Sequence, residues 1–396
     1  MPDGRDAITI RLIERISDVA PESWDACAGD RDPFVQYAFL NALEESGSVS
    51  AETGWMPRHL TVEDGAGRLA AACPFYVKSH SHGEYVFDWG WADAYHRAGG
   101  SYYPKLISAV PFTPVTGRRL LVRDDSADNG TLSDALASAM VQVADKMKAS
   151  SVHVNFTTEA EWQRLKALGF LPRLGLQYHW ENKGYGGFDD FLNELSSRKR
   201  KAIRKERAQV REQNVKMKVL SGHDIREEHW DVFFRFYMDT SDRKWGSPYL
   251  NREFFSLLGQ AVGDAVVLVL AEAGGKIVGG ALNLKGRDTL YGRYWGCTEA
   301  YKFLHFEACY YQAIDYAIEH GLAWVEAGAQ GPHKIQRGYL PRRVYSAHWI
   351  ADPNFRDAVD QFVRAEAASI DEEIRDLIAT ASPYKKAAPA NKENPK

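Results

Sequence analysis

A chain of 396 residues has room for two or three domains, each with its own core, and its 45% apolar and 26% charged content excludes a disordered or fibrous protein. The formal net charge of −4 gives no whole-molecule attraction to nucleic acid, so any polyanion must be gripped by a local patch. Cys27, Cys73, Cys297 and Cys309 show no metal-ligand spacing, and no apolar run reaches the ~18 residues of a membrane span; a cytoplasmic protein with no bound metal and no stable membrane insertion is expected.

In chain order, Ala7 to Ile16 alternates like a strand, and Pro33 to Ser46 has helical spacing through Phe34, Phe39, Leu40 and Leu43. Segments 59–63 and 69–78 flank Asp64-Gly65-Ala66-Gly67 as a predicted hairpin. Pro104, Pro111, Pro114 and Gly117 mark 104–128 as an inserted loop over a cleft. A helix over 131–149 and a short buried strand over 151–156 follow. Past residue 182 the pattern begins again. It predicts a basic helix near 188–213, helices near 226–239 and 251–261, and a hairpin of 265–272 with 277–284 that turns at Gly274-Gly275. A strand over 290–295, a helix over 302–320 and a strand over 323–327 complete the repeat. The tail, rich in Pro, Lys, Ala and Asn, reads as disordered.

Two words recur. Tyr85-x-x-x-Trp89-Gly90-x-x-Asp93-Ala94-Tyr95 matches Tyr291-x-x-x-Trp295-Gly296-x-x-Glu299-Ala300-Tyr301, which sets Phe87 in the place of Arg293. Gly169-Phe170-Leu171-Pro172-Arg173 with His179-Trp180 matches Gly338-Tyr339-Leu340-Pro341-Arg342 with His348-Trp349. Matched words in one order predict duplication of a single mixed α/β unit.

Four groups of residues could carry chemistry. Arg200, Arg204, Arg207 and Arg211 follow i, i+4, i+7, i+11 and form one guanidinium stripe on the basic helix. Their mutual repulsion favours a bound polyanion such as a phosphate backbone; a solvated basic face balanced by acids elsewhere is the alternative. Glu326, Gln330, His333, Lys334 and Arg337 follow a short strand in a glycine-rich loop, where open α/β sheets place ligands. His333 or Glu326 could accept a proton from an attacking amine, while Lys334 and Arg337 could neutralise an oxyanion or diphosphate; an ion-paired structural loop is the alternative. His305 and Glu307, two residues apart on a helix, point to different faces, so one of them reaches the cleft. Arg293 and Tyr294 sit in an aromatic strand and suit anion recognition or an internal salt bridge to Glu307 or Glu326.

The sequences Leu290-Tyr-Gly-Arg-Tyr-Trp-Gly-Cys297, Leu304-His-Phe-Glu-Ala-Cys-Tyr-Tyr-Gln312 and Glu326-Ala-Gly-Ala-Gln-Gly-Pro-His-Lys334, then Arg337-Gly-Tyr, resemble the FemAB-like branch of the GNAT superfamily. The resemblance implies an α/β fold with a mixed sheet and two tandem GNAT-like domains: 1–182, 183–380 with the active site, and a 381–396 tail. It also implies that Arg243, Lys244 and Trp245, in the loop that covers the acceptor in GNAT-like folds, contact substrate. Fem-type relatives move an amino acid from aminoacyl-tRNA to the amine of a cell-wall precursor, whereas ordinary GNAT enzymes use acetyl-CoA. The stretch Gly296-Cys-Thr-Glu-Ala-Tyr-Lys-Phe carries one glycine where a CoA pyrophosphate loop is glycine-rich. The expected activity is therefore N-acyl transfer from aminoacyl-tRNA to a small-molecule or peptide amine, with no cofactor. An acetyl- or acyl-CoA-dependent enzyme and a non-catalytic binding module for a cell-wall precursor or RNA are the alternatives.

Overall fold

The computed structural model describes residues 9–126, 129–243, 248–298, 301–328 and 331–385, with the side chains of all of these but 241–243. Its strands in the first half are β1 (Thr9–Ile13), β2 (Trp55–Pro57), β3 (His59–Glu63), β4 (Leu69–Cys73), β5 (Tyr76–Lys78), β6 (Lys105–Ser108), β7 (Leu121–Val122), β8 (Ser151–Thr157) and β9 (Leu171–Glu181). The second half gives β10 (Lys216–Ser221), β11 (Val266–Ala273), β12 (Lys276–Lys285), β13 (Thr289–Cys297), β14 (Trp324–Glu326) and β15 (Leu340–Ile350). Helices α1 (Pro21–Ala28), α2 (Tyr37–Glu45), α3 (Trp89–Arg97), α4 (Asn129–Met147), α5 (Glu159–Ala167), α6 (Phe188–Glu194), α7 (Ser197–Glu212), α8 (Glu227–Arg243) and α9 (Arg252–Val262) cover the sheets. They are followed by α10 (Leu304–Phe306), a π turn over Glu307–Tyr311, α11 (Gln312–Glu319) and α12 (Pro353–Ala381).

Eleven strands form one sheet in the order β10-β11-β12-β13-β14-β9-β15-β8-β6-β5-β2, and β1-β3-β4-β7 form a smaller one. The β11 sequence Val-Val-Leu-Val-Leu-Ala is apolar without alternation because helices or neighbouring elements cover both faces, and these residues are buried. Its hairpin to β12 closes through Gly274 and Gly275 at φ 54° and 74°, the conformation a two-residue turn needs to match strand twist.

The second repeated word is structural. Leu171 and Leu340 hold the same place in it, as do His179 and His348, and in the β9–β15 ladder Leu340 lies opposite His179 and His348 opposite Leu171. The copies are thus related by a local twofold axis passing at the Gly175–Val344 pair. Beyond it, β9 pairs with β14 of the second copy and β15 with β8 of the first, so each copy ends in a strand embedded in the other.

Several expectations are corrected. The first repeated word falls in a loop and α3 at 85–95 but in β13 at 291–297, so that letter match does not mark equivalent structure; Glu299 and Ala300 lie outside the described residues. Consequently Phe87 is not the counterpart of Arg293. Residues 104–128 are not an inserted loop, since they contain β6, which pairs in parallel with β8 as β13 does with β14. The basic helix is two helices, α6 and α7, broken at Leu195 and Ser196. The start of the tail is also ordered: Tyr384 bridges Leu195 and donates to the Gly338 carbonyl, while residues 386–396 lie outside the described residues. The long α12 escapes the sequence reading, although Asp352 caps it by accepting from Phe355 N and Pro353 occupies its first turn.

Because β15 separates β8 from β9, a chain of residues 1–182 alone is expected to be insoluble or to lack native circular dichroism. The full chain should unfold in one calorimetric transition. A soluble 1–182 product with full secondary structure would show that the first copy closes by itself.

Candidate active site

Strands β13 and β14 pair in parallel only from Thr289–Tyr291 to Trp324–Glu326; β13 then runs on to Cys297 while β14 ends. A bulge at Leu282/Asn283 turns β12 and β13 at the same level. Past Tyr291, alternate backbone groups of β13 therefore face an opening rather than a strand. This wedge belongs to a cleft of about 1110 Å³ lined by Gly292, Arg293, Tyr294 and Trp295 from β13, Ala327 and Gly328 after β14, and His305, Tyr310, His333 and Lys334. The first copy supplies the opposite elements, among them Tyr85, Phe87, Trp89 and Pro114.

The equivalent wedge of the first copy is filled. Beyond the short β6–β8 pairing, Gly117 N donates to the Phe156 carbonyl at 3.0 Å and buried Arg119 donates through Nε to the Asn155 carbonyl at 3.0 Å. Glu161 fixes this segment by accepting from the backbone N–H groups of Arg119 and Leu120. One open wedge remains, in the second copy.

One side of the cleft comes from α10, the π turn after it and a following 3-10 turn. The π turn at Glu307–Tyr311 adds a residue to the helix, a distortion common at functional sites. His305, Cys309 and Tyr310 thereby line the cleft. The 3-10 turn Pro332–Arg337 brings His333 Nε2 to 2.9 Å from the Tyr310 hydroxyl. Gly331 before it has φ 115°, and a Cβ there would stand 2.4 Å from His333 Cε1, so a side chain would displace the imidazole. Burial, with the nearby Arg337 and Lys334 cations, lowers the His333 pKa, so the ring is neutral at pH 7.

The sequence profile of the FemAB-like family, described as peptidoglycan biosynthesis/recognition, matches residues 15–386. The chain belongs to the FemAB-like family. No curated protein matches it. Among solved structures, FemX is similar over 89% of this chain and 100% of its own, with 12% identity and a TM-score of 0.53. A conserved protein of unknown function from Bacteroides thetaiotaomicron matches 87% of this chain and 100% of its own, with 12% identity and a TM-score of 0.52. A tandem GNAT protein from the clavulanic acid biosynthesis pathway matches over 88% and 99%, with 11% identity and a TM-score of 0.46. The fold is a duplicated α/β arrangement shared with FemX.

In this FemAB-like chain the predicted residues divide sharply. Arg293, Tyr294, His305, His333 and Lys334 meet in the cleft. Arg293 donates to the Phe112 carbonyl, and its guanidinium lies 5.2 Å from the Tyr294 ring centroid. Lys334 is 2% exposed and donates to the Gly328 carbonyl at 2.7 Å, so it braces the glycine-rich loop. Arg337 and Glu307 are corrections. Arg337 is buried, donates to both carboxylate oxygens of Glu206 and lies 3.3 Å from the Phe306 ring centroid, while Glu307 pairs with Arg207. Arg243 ends α8, with its side chain outside the description, and Lys244, Trp245 and Gln330 lie outside the described residues.

The arginine stripe is internal only at Arg207. Arg207 pairs with Glu307 and Asp315 and stacks 4.4 Å from the Phe188 ring centroid; Arg204 pairs with Asp189 and Arg200 with Asn193 Oδ1. Arg211 stays exposed at the end of α7, which also presents exposed Arg198, Lys201 and Lys205.

Glu326 sits at the root of the wedge, with Oε1 3.8 Å from His179 Nδ1. Burial, then the buried Asp32 carboxylate, pushes Glu326 up to about 8 against the pull of Arg293. Burial, then Arg342 and Lys334, pushes His179 down to about 3. Both are neutral at pH 7, so this contact is no ion pair and Glu326 is a poor proton acceptor. Since His179 and His348 are matched residues, His153, opposite His348, is the first-copy counterpart of Glu326; there two buried, neutral histidines share a 2.7 Å hydrogen bond. Sequence reading missed Asn283 and Tyr237, both at the cleft. A polar Asn within an apolar strand was the available signal for the first.

The raised Glu326 pKa carries a stability consequence. Its ordinary value is 4.5 and its folded value about 8, so its contribution is full below 4.5 and is lost as pH rises toward 8. Between pH 6.5 and 8.5, where the titration of unfolded His179 is common to both proteins, Glu326→Gln should gain about 2 kcal/mol of unfolding free energy relative to wild type. Parallel pH–stability curves for the two proteins would refute this.

Proposed function

We propose that this chain is an acyltransferase that passes an aminoacyl group to an amine acceptor in the wedge cleft. The observation that carries the reading is the open side of β13 beside the His333–Tyr310 pair. Acyltransferase chemistry rests on membership of the FemAB-like family together with this geometry, and the acceptor proposed is the amine of a cell-wall precursor.

The steps balance without a covalent enzyme intermediate. The acceptor nitrogen attacks the donor carbonyl, a C–N bond forms, the ester C–O bond breaks, and the amine's proton leaves while the departing alkoxide gains one. With His333 Nε2–H donating to Tyr310, Nδ1 keeps its lone pair and takes the proton from the amine, a role Glu326 cannot fill while protonated. Cleft-facing amides of β13 and the Arg293 charge would stabilise the tetrahedral oxyanion. Lys334 acts through the loop it braces.

Aminoacyl-tRNA is the proposed donor, with the reaction in the cytosol. The exposed Arg198, Lys201, Arg204, Lys205 and Arg211 on α7 support it, as does the single glycine between 296 and 303. The ion-paired Arg207 contributes nothing to RNA binding in this reading. Acyl-CoA is the second reading, favoured by the wedge itself: an extended amide-bearing arm could pair with the open side of β13.

Charged tRNA or acetyl-CoA, each supplied with a muramyl peptide amine, decides between them. Transfer from tRNA alone is expected, and transfer from acetyl-CoA alone would overturn the donor choice. His333→Ala should lower kcat by about 10²- to 10⁴-fold with unchanged circular dichroism. Reversing Arg198, Lys201 and Lys205 to Glu should weaken tRNA binding and reduce its salt dependence by about one unit of slope per lost phosphate contact. A fully active His333→Ala would remove the imidazole from the mechanism.

A further inference from the structure

The first copy contributes a wall to the cleft, and that wall hangs on one buried ammonium. Lys105 opens β6 and is wholly buried. Its Nζ donates to Ser81 Oγ at 2.8 Å, to Glu84 Oε2 at 2.8 Å and to Asp88 Oδ2. All three acceptors lie on the segment between β5 and α3, and all are buried. An unpaired ammonium or carboxylate is strongly disfavoured in such a place, so Lys105 and its two carboxyl partners hold one another there. Burial pushes Glu84 up to about 7 against the Lys105 charge, while Lys105, with hydrogen bonds from Ser81 and Tyr102, keeps Asp88 below its ordinary value despite burial.

The segment needs such an anchor. Tyr85 has φ 59°, a left-handed conformation that is strained for a bulky aromatic residue and persists only where the surroundings impose it. Its backbone is gripped on both sides: the His82 carbonyl accepts from Trp55 Nε1 and from Lys78 Nζ, and the Phe87 carbonyl accepts from Arg173. Tyr85, Phe87 and Trp89 consequently line the cleft, with Phe87 57% and Trp89 40% exposed. Such apolar exposure next to a polar strand suits a substrate surface rather than packing.

We propose that Lys105 is a positioning residue, holding the 81–88 segment so that the first copy's aromatic wall faces the cleft whose chemistry comes from the second copy. This rests on the cleft being the transfer site. The wall's geometry, however, is measurable without any substrate.

Two variants test it, by amide hydrogen exchange and by acrylamide quenching of Trp89, taken as the difference between each protein and its Trp89→Phe partner. Lys105→Met strands two buried carboxylates. Ser81→Ala/Glu84→Gln removes two attachments yet leaves Asp88 paired with Lys105, and it stays informative if the first variant fails to fold. Exchange of the 81–89 amides is expected to speed by about tenfold or more, with Trp89 quenching rising alongside and β9 and β13 keeping their protection. In a transfer assay the double variant should raise KM more than it lowers kcat. Unchanged exchange and quenching in a folded variant overturns the proposal, and so does acceleration spread evenly through both copies. A protein inactive with every donor would defeat the transfer reading alone, because exchange and quenching still report on the wall.

Discussion

The ladder between β9 and β15 ties the two copies together at their centre, and the rest of the molecule follows from it. Each strand is the last of its own copy and the neighbour of a strand from the other, so backbone hydrogen bonds of the sheet run without interruption from β10 to β2. Neither β8 nor β14 has a free interior edge, because the partner copy supplies the strand that covers it. α12 then packs over β9 and β15 and closes the junction, with Val359 and Val363 buried.

A twofold-related pair would ordinarily offer two equivalent sites. Here the copies have diverged where their parallel strands separate. In the first, Arg119 and its neighbours satisfy the backbone at the end of β8 and leave no room. In the second, β14 stops early, glycines 328 and 331 carry the chain away at positive φ, and a cleft opens. The first copy contributes to that cleft the aromatic residues Tyr85, Phe87 and Trp89. This division makes the cleft a property of both copies, with polar groups on one side and ring faces on the other.

A small set of buried and half-buried charges fixes the internal geometry beside the cleft. Arg207 joins α7 to the π turn through Glu307 and to α11 through Asp315, and Arg337 joins the 3-10 turn to Glu206 of α7. These pairs hold the helix that bears Tyr310 and the turn that bears His333 against a common support. The 2.9 Å contact between those two side chains thus depends on charged residues that never reach the cleft.

Duplication, the α/β class, the second hairpin and the family were legible in the sequence, because each rests on local periodicity, on turn glycines or on matched words close together in the chain. The sequence also singled out Arg293, Tyr294, His305, His333 and Lys334, which the fold brings to one cleft. What only the tertiary structure decided are the facts that depend on partners distant in sequence. An arginine at helical spacing looks the same whether it faces solvent or, like Arg207, meets Glu307 a hundred residues on. Strand exchange leaves no local trace, since β9 and β15 each read as ordinary strands until the ladder shows them paired with each other. The anchoring of the aromatic cluster was hidden for the same reason: a buried lysine reaching back to Ser81, Glu84 and Asp88 is set by the packing of β6, and no spacing within the chain encodes it.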